Sequence, residues 1–238
     1  MSTRLKHALL VVPAIVALPH GPRELATDFI IRIENVSTES TLQLSNGKSA
    51  PAPTSPGVWA VFRGTANPIF ATGQPASRAL EAQAEEGNPE KLAAFLKTSD
   101  GAQSSGSYSI PKGDREAGPL LPGKAYELHI SAQPGDRLVL AFMFGQSNDL
   151  FYAPQDAGIA LFEGDQPLHG DITSQFELWD AGTEKNQEPG LGADQAPRQK
   201  GPNSGEAEHG VVGLVKDSFT YPATNQVIRV TITSKPGK

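Results

Sequence analysis

Apolar and polar positions alternate with a period of two through most of the chain after residue 28. Phe29, Ile31 and Ile33 alternate with Arg32 and Glu34, and Tyr126, Leu128 and Ile130 with Glu127, His129 and Ser131. Ile228, Val230 and Ile232 alternate with Arg229 and Thr231. This period sends one set of side chains to one face of a strand. Residues 58–62 and 138–144 are apolar without alternation, and the second run predicts a strand buried on both faces. Residues 159–162, 176–179 and 211–215 complete a set of eight expected strands, bounded by Gly, Pro, Asn and Asp clusters. Short strands punctuated in this way predict an all-β chain, an antiparallel sandwich or barrel.

One helical insert interrupts the strands. Ser77 can cap a first helix whose face includes Leu80, and Gly87 can end it. Asn88 is then expected to cap a second helix with Pro89 at its first position, and Leu92, Phe95 and Leu96 share one apolar face. Both helices are expected to lie across a sheet edge, with Glu85 and Glu86 on a solvated face. Residues 98–118 read as a loop. Residues 186–210 form the longest irregular segment, rich in acids and amides, and a loop of that length is expected to be ordered against the sandwich.

The N-terminus reads as an export signal. Arg4 and Lys6 precede an apolar run over residues 8–18, too short for the roughly 20 residues that span a bilayer. Residues 1–21 are therefore expected to be a cleaved signal peptide, with residues 28–235 as one domain, secreted or periplasmic. No later apolar run is comparable, so no transmembrane segment is expected in the mature chain.

Composition narrows the function. The net charge of −6 offers no basic footprint for nucleic acid. The absence of cysteine excludes disulfides, zinc–thiolate sites and a cysteine nucleophile. No G-x-S-x-G, Walker loop, H-E-x-x-H or EF-hand spacing occurs. Two loops do combine oxygen donors with tight turns. Residues 145–151 (GQSNDLF) follow the most apolar run, and residues 180–188 (DAGTEKNQE) follow Trp179. Ca²⁺ takes six to eight oxygen ligands from carboxylates, amides, backbone carbonyls and water. Asp180 and Glu184, joined through Ala181 and Gly182, together with Asp149, are the candidate metal ligands. The competing reading of these acids is that they cap turns and face water.

The segments GQSNDLFYAP (145–154), LWDAGTEKNQEPGLGADQAPRQ (178–199) and GEAEHGVV (205–212) resemble the spondin domain, the N-terminal module of F-spondin and mindin. The helical stretch ASRALEAQAEEGNPEKLAAFL resembles the bacterial, single-domain branch of that family. The resemblance spans roughly residues 29–234, and its most specific piece is Asp180-Ala181-Gly182-Thr183 followed by an acid. It implies an eight-stranded antiparallel β-sandwich, C2-like in shape, with a calcium ion held by loops at one end. The chain departs from the animal members in Asn148-Asp149, where they have Pro-Asp, and in Glu184, where they have Asp. It lacks cysteines and thrombospondin repeats, so their adhesive roles do not transfer directly.

Two functions are weighed. One is a non-catalytic, monomeric, calcium-binding module that attaches to a protein, glycan or lipid surface. The other is a secreted carbohydrate-active hydrolase using the loop carboxylates, with Trp59 or Trp179 stacking on sugar. The export reading makes one prediction: N-terminal sequencing of the mature protein is expected to start near residue 22, and a start at Ser2 refutes it.

Overall fold

The structure is a computed structural model that describes residues 26–235; the expected signal peptide lies outside the described residues. Eight strands of five or more residues carry the fold. They are β1 (Thr27–Asn35), β2 (Thr54–Arg63), β3 (Ser104–Tyr108), β4 (Ala125–Ala132), β5 (Asp136–Phe144), β6 (Leu150–Pro154), β7 (Phe176–Asp180) and β8 (Ile228–Lys235). The smaller sheet has the order Gly170–Asp171, β8, β1, β4, and the larger has Gly213–Leu214, β7, β6, β5, β2, β3. All pairings of these strands are antiparallel. The chain is thus an all-β sandwich with a short helical insert.

The alternating residues meet between the sheets. Phe29, Ile31 and Ile33 of β1, with Val230 and Ile232 of β8, pack against Leu138, Leu140, Phe142 and Phe144 of β5. The other face of β5 holds Val139 and Ala141, which form a second core with Phe151, Ala153, Trp179 and the helices α1 (Arg78–Glu86) and α2 (Glu90–Thr98). The larger sheet is therefore covered on both sides, which is why residues 138–144 are apolar throughout. The helices lie on a sheet face and not across an edge, as the sequence had suggested.

The caps of α1 are as expected. Ser77 Oγ accepts from the Leu80 amide at 3.2 Å, and Gly87 takes a left-handed conformation at φ 64°. The second helix starts one residue later than expected, at Glu90, with Asn88 Oδ1 accepting from the Glu90 amide at 2.9 Å. Its buried face is Leu92, Ala93 and Leu96, while Phe95 is 45% exposed. Glu85, expected in solvent, is buried at 2% exposure, because its face of α1 turns inward onto the loop after β7.

Two of the eight long strands were not expected. β3 lies in the Gly/Ser-rich stretch read as loop, where pairing with β2 imposes extended backbone. Gly106 there lies under Trp59, and a Cβ would stand 2.9 Å from its indole nitrogen. β6 begins directly after Asp149, and all five of its residues are buried. Conversely, the expected strands at 159–162 and 211–215 shrink to two-residue pairings, Ile159–Ala160 and Phe162–Glu163 for the first and Gly213–Leu214 for the second. Among the described residues, no helix is long and apolar enough to cross a membrane.

One buried polar residue ties the sheets at the end of β1. Asn35, with no exposed surface, donates from Nδ2 to the carbonyls of Ala52 at 2.9 Å and Leu120 at 2.8 Å. Its Oδ1 accepts from the Ser37 amide and hydroxyl at 2.9 and 2.6 Å. Removing one partner from such a set leaves desolvated groups unpaired. Asn35→Ala is therefore expected to lower the unfolding free energy by about 3 kcal/mol in urea titration, with the slope unchanged.

Candidate cation site at the loop end of the larger sheet

Three segments meet at one end of the larger sheet. They are the β5–β6 turn (145–149), the loop after β7 (180–188) and the segment returning through 205–217. The turn is fixed by Ser147, whose hydroxyl donates to the Phe144 carbonyl at 2.6 Å and accepts from the Leu150 amide at 3.1 Å. This delivers Asp149 into the protein with no exposed surface. Its Oδ2 accepts from the Thr183 amide at 2.7 Å, the Thr183 hydroxyl at 3.0 Å and the Glu184 amide at 3.1 Å. Its Oδ1 is buried and has no hydrogen-bond partner.

Asp180 stands beside it at the end of β7. Its Oδ1 accepts from the Gly182 amide at 2.7 Å and its Oδ2 from Asn186 Nδ2 at 2.6 Å. Gly182 is required here. It takes φ 69°, and a Cβ would come within 2.7 Å of the Val211 amide nitrogen. Asn186 in turn leaves its Oδ1 buried and unpartnered. Burial first, and the charge of Asp180 second, push the Asp149 carboxyl above the usual range. Asp180 is raised by burial and by Asp217. Glu208 is raised by burial and by Asp180 and Asp217. Tyr221 donates to Asp217 Oδ2 at 2.6 Å, and its pKa is raised first by burial and then by Asp217, Asp180 and Asp149. Four carboxylates thus share one neighbourhood, at a cleft of about 390 Å³ lined by Asp180, Asn186, Glu208 and Asp217 together with Lys185 and Lys216.

The structure brings together two of the three acids expected from sequence. Glu184 is buried at 3% exposure, but its carboxylate faces the other way. It accepts from the Gly205 amide at 2.9 Å and Asn148 Nδ2 at 3.4 Å, and burial, then Asp194 and Glu81, raise its pKa. The reason is the alternation of the loop backbone: Asp149 holds the amides of Thr183 and Glu184, so the Glu184 side chain is directed toward α1. There it neighbours Glu85, whose pKa is raised to about 7 mainly by burial. Among the described residues, no three or more carboxylate or histidine side chains form a metal-binding group.

Asn186, Glu208 and Asp217 were missed. Asn186 lies in the loop already singled out and carries an amide oxygen, so a donor inventory wider than carboxylates finds it. Asp217 and Glu208 arrive through a long return segment that no local spacing announces. Trp179 is a core residue: it is 4% exposed, and its indole nitrogen donates to the Ala153 carbonyl at 3.1 Å.

No family model matches this chain, and no curated protein matches it.

The buried acids predict a pH dependence. For Glu85 and the Asp149–Asp180 pair the folded pKa lies above the unfolded value, so protonation favours the folded state. For Glu85 and Asp149 this contribution is complete below about pH 4 and is lost as the pH rises through about 7, and Asp180 acts in the same direction. Glu127 and Asp171 have lowered values and act in the opposite sense at lower pH. In chelator, the melting temperature is expected to fall between about pH 5 and pH 7.5, and Glu85→Gln should flatten part of that fall. A flat profile for the wild type refutes this.

Proposed function

We propose that the protein is an exported, non-catalytic β-sandwich module that binds Ca²⁺ at its loop end and presents that end to a ligand. The observation that carries this reading is the buried, unpartnered Oδ1 of Asp149 beside a second raised carboxylate. A buried acceptor without a donor costs roughly 1–3 kcal/mol and calls for a proton or a cation. The donors nearby are hard oxygens: the unpartnered Asp149 Oδ1 and Asn186 Oδ1, and the Asp180 carboxylate that Asn186 holds. That set suits Ca²⁺ better than zinc or copper. These residues would hold the ion, and Glu184 would support the loop from its far side. The ion supplies charge neutralisation and a fixed loop geometry, and open coordination positions at the cleft would take oxygens from a ligand. The spondin-like segments agree with this reading, since the Asp180-Ala181-Gly182-Thr183 turn forms the centre of the site.

The hydrolase alternative fits less well. Asp149 has no exposed surface and Trp179 is packed in the core, so neither is presented to a sugar. The acids lie under backbone they hydrogen-bond, an arrangement suited to an enclosed ion or proton.

Calorimetric titration tests the assignment. The wild type is expected to bind Ca²⁺ with a dissociation constant of about 10⁻⁴ to 10⁻³ M, as extracellular modules do. Saturating calcium should raise the melting temperature by an amount equivalent to about 1–3 kcal/mol. Asp180→Asn should remove most of that rise and Glu184→Gln should weaken it less. Equal calcium affinity for wild type and Asp180→Asn places the ion elsewhere.

A further inference from the structure

A second recess, of about 570 Å³, shares no lining residue with the acidic cleft. Its walls are apolar: Pro53 and Pro56 beside the start of β2, Pro119 and Leu121 ahead of β4, Met143 of β5 and Pro197 of the long irregular segment. Leu121 is 50% exposed there. The end of α1 fixes the floor. A Cβ at Gly87 would stand 2.5 Å from Ser55 Cβ and 3.7 Å from Met143 Sδ, so the helix terminus is pressed onto β2 and β5. The pairing of β2 with β5 slips between Thr54 and Gly57. Inside that irregularity Ser55 Oγ accepts from the Met143 amide at 2.8 Å and from Gln83 Nε2 at 3.1 Å. Two polar groups of the lining lack a counterpart. Thr54 is 1% exposed and its backbone bonds Leu120 in both directions, yet its hydroxyl is buried without a partner. Glu86 is the one charged residue of the lining and makes no ion pair among the described residues, although Arg78 and Lys91 line a neighbouring cleft with it. Arg198, beside Pro197, is outside the lining and already bound to the Gly192 carbonyl and Gln146 Oε1.

We infer that this recess binds a small amphipathic amine, with its ammonium group at Glu86 and its hydrocarbon body along the prolines, Leu121 and Met143. The charge argument has two parts. Glu86 is the last residue of α1, and the last turn of that helix holds no basic residue. A helix C-terminus carries partial negative charge, so the carboxylate and the helix attract the same cation. An anionic ligand would meet like charge at both, and a neutral one would leave both unanswered. The volume falls within the roughly 300–1,000 Å³ of small-molecule sites, whose walls are mostly apolar with a few placed polar groups. Thr54 supplies such a group, and a polar atom of the ligand gives its hydroxyl the partner that the fold does not. The inference stands apart from the calcium reading, because none of these residues belongs to the acidic site.

The sequence provides its own probe. Met1 and Met143 are the chain's two methionines, and Met1 falls in the expected signal peptide, so an isotopic label on the methionine methyl group reports this recess by NMR. Octylammonium, octanol and octanoate, equal in chain length, are titrated separately at neutral pH. Octylammonium is expected to shift the Met143 methyl signal saturably, with an affinity at least tenfold above that of the other two. Glu86→Gln, which keeps the size of the side chain, is expected to bring octylammonium down to the level of octanol. Leu121→Ser, at an exposed position, should weaken octylammonium and octanol alike. Absence of a saturable shift with octylammonium overturns the inference, as do equal affinities for the three probes or an undiminished preference in Glu86→Gln. A Met143 signal that moves with protein concentration alone assigns the recess to a second copy of the chain and overturns it too.

Discussion

A carboxylate placed at the bottom of the β5–β6 turn governs the geometry of the whole loop end. Asp149 loses all its contact with water, and burying a charged group in this way is unfavourable unless hydrogen bonds replace hydration. One oxygen receives three donors, all from Thr183 and Glu184, and this clamps the loop after β7 onto the turn. The neighbours of Asp149 extend the clamp. Asn148 Oδ1 accepts from the Gln187 amide at 3.0 Å, the Gln146 carbonyl from the Gly190 amide at 3.1 Å, and Gln146 Oε1 from Arg198 at 3.0 Å. A five-residue turn on a rigid central strand thus anchors a long segment that has almost no secondary structure of its own.

The clamp accounts for the polarity of the site. With one carboxylate oxygen saturated and the other bare, Asp149 is pre-oriented toward whatever positive charge occupies the space beside Asp180. Burial raises the pKa of both carboxyls and so favours a proton in that place, while the hard oxygen donors suit the divalent ion proposed above. On the far side of Thr183 a second pair of buried acids, Glu85 and Glu184, is arranged against α1. The helical insert is therefore more than a cover for the sheet, because it closes the back of the acidic loop.

Much of the fold was legible because burial imposes period two on β1, β4 and β8, whose inward residues are Ile, Leu, Val, Phe and Tyr. The caps of α1 were legible because Ser77 and Gly87 act through local backbone geometry alone. β3 was not legible: Ser104-Ser105-Gly106-Ser107-Tyr108 has no apolar alternation, and its extended form comes from pairing with β2 under Trp59. The inward turn of Glu85 was hidden for a similar reason, since a carboxylate on a helix reads as solvated until the partner loop is placed. In the site, Asp149 and Asp180 were found because Asp149 lies in the loop that follows the most apolar strand and Asp180 ends another. Glu184 was grouped with them by sequence proximity, but the orientation of its side chain depends on where Asp149 holds the loop amides. Asp217 and Glu208 enter through chain return, which spacing does not encode.

The absence of cysteine gives this polar network its structural weight. A sandwich with two apolar cores, one between the sheets and one beneath the helices, holds its strands without covalent links. Its long irregular segment contributes few residues to either core and cannot be held by hydrophobic burial. What orders it is a chain of directed bonds. Ser45 donates its amide and hydroxyl to Glu188 at 2.7 and 2.6 Å, and Gln195 Nε2 donates to the Gln187 and Glu188 carbonyls at 3.2 and 2.9 Å. Such bonds are individually modest and become strong together only where water is excluded. The acidic pair lies where this network joins the sheet, so a positive charge taken up beside Asp149 would act on both the local charge and the order of the irregular segment.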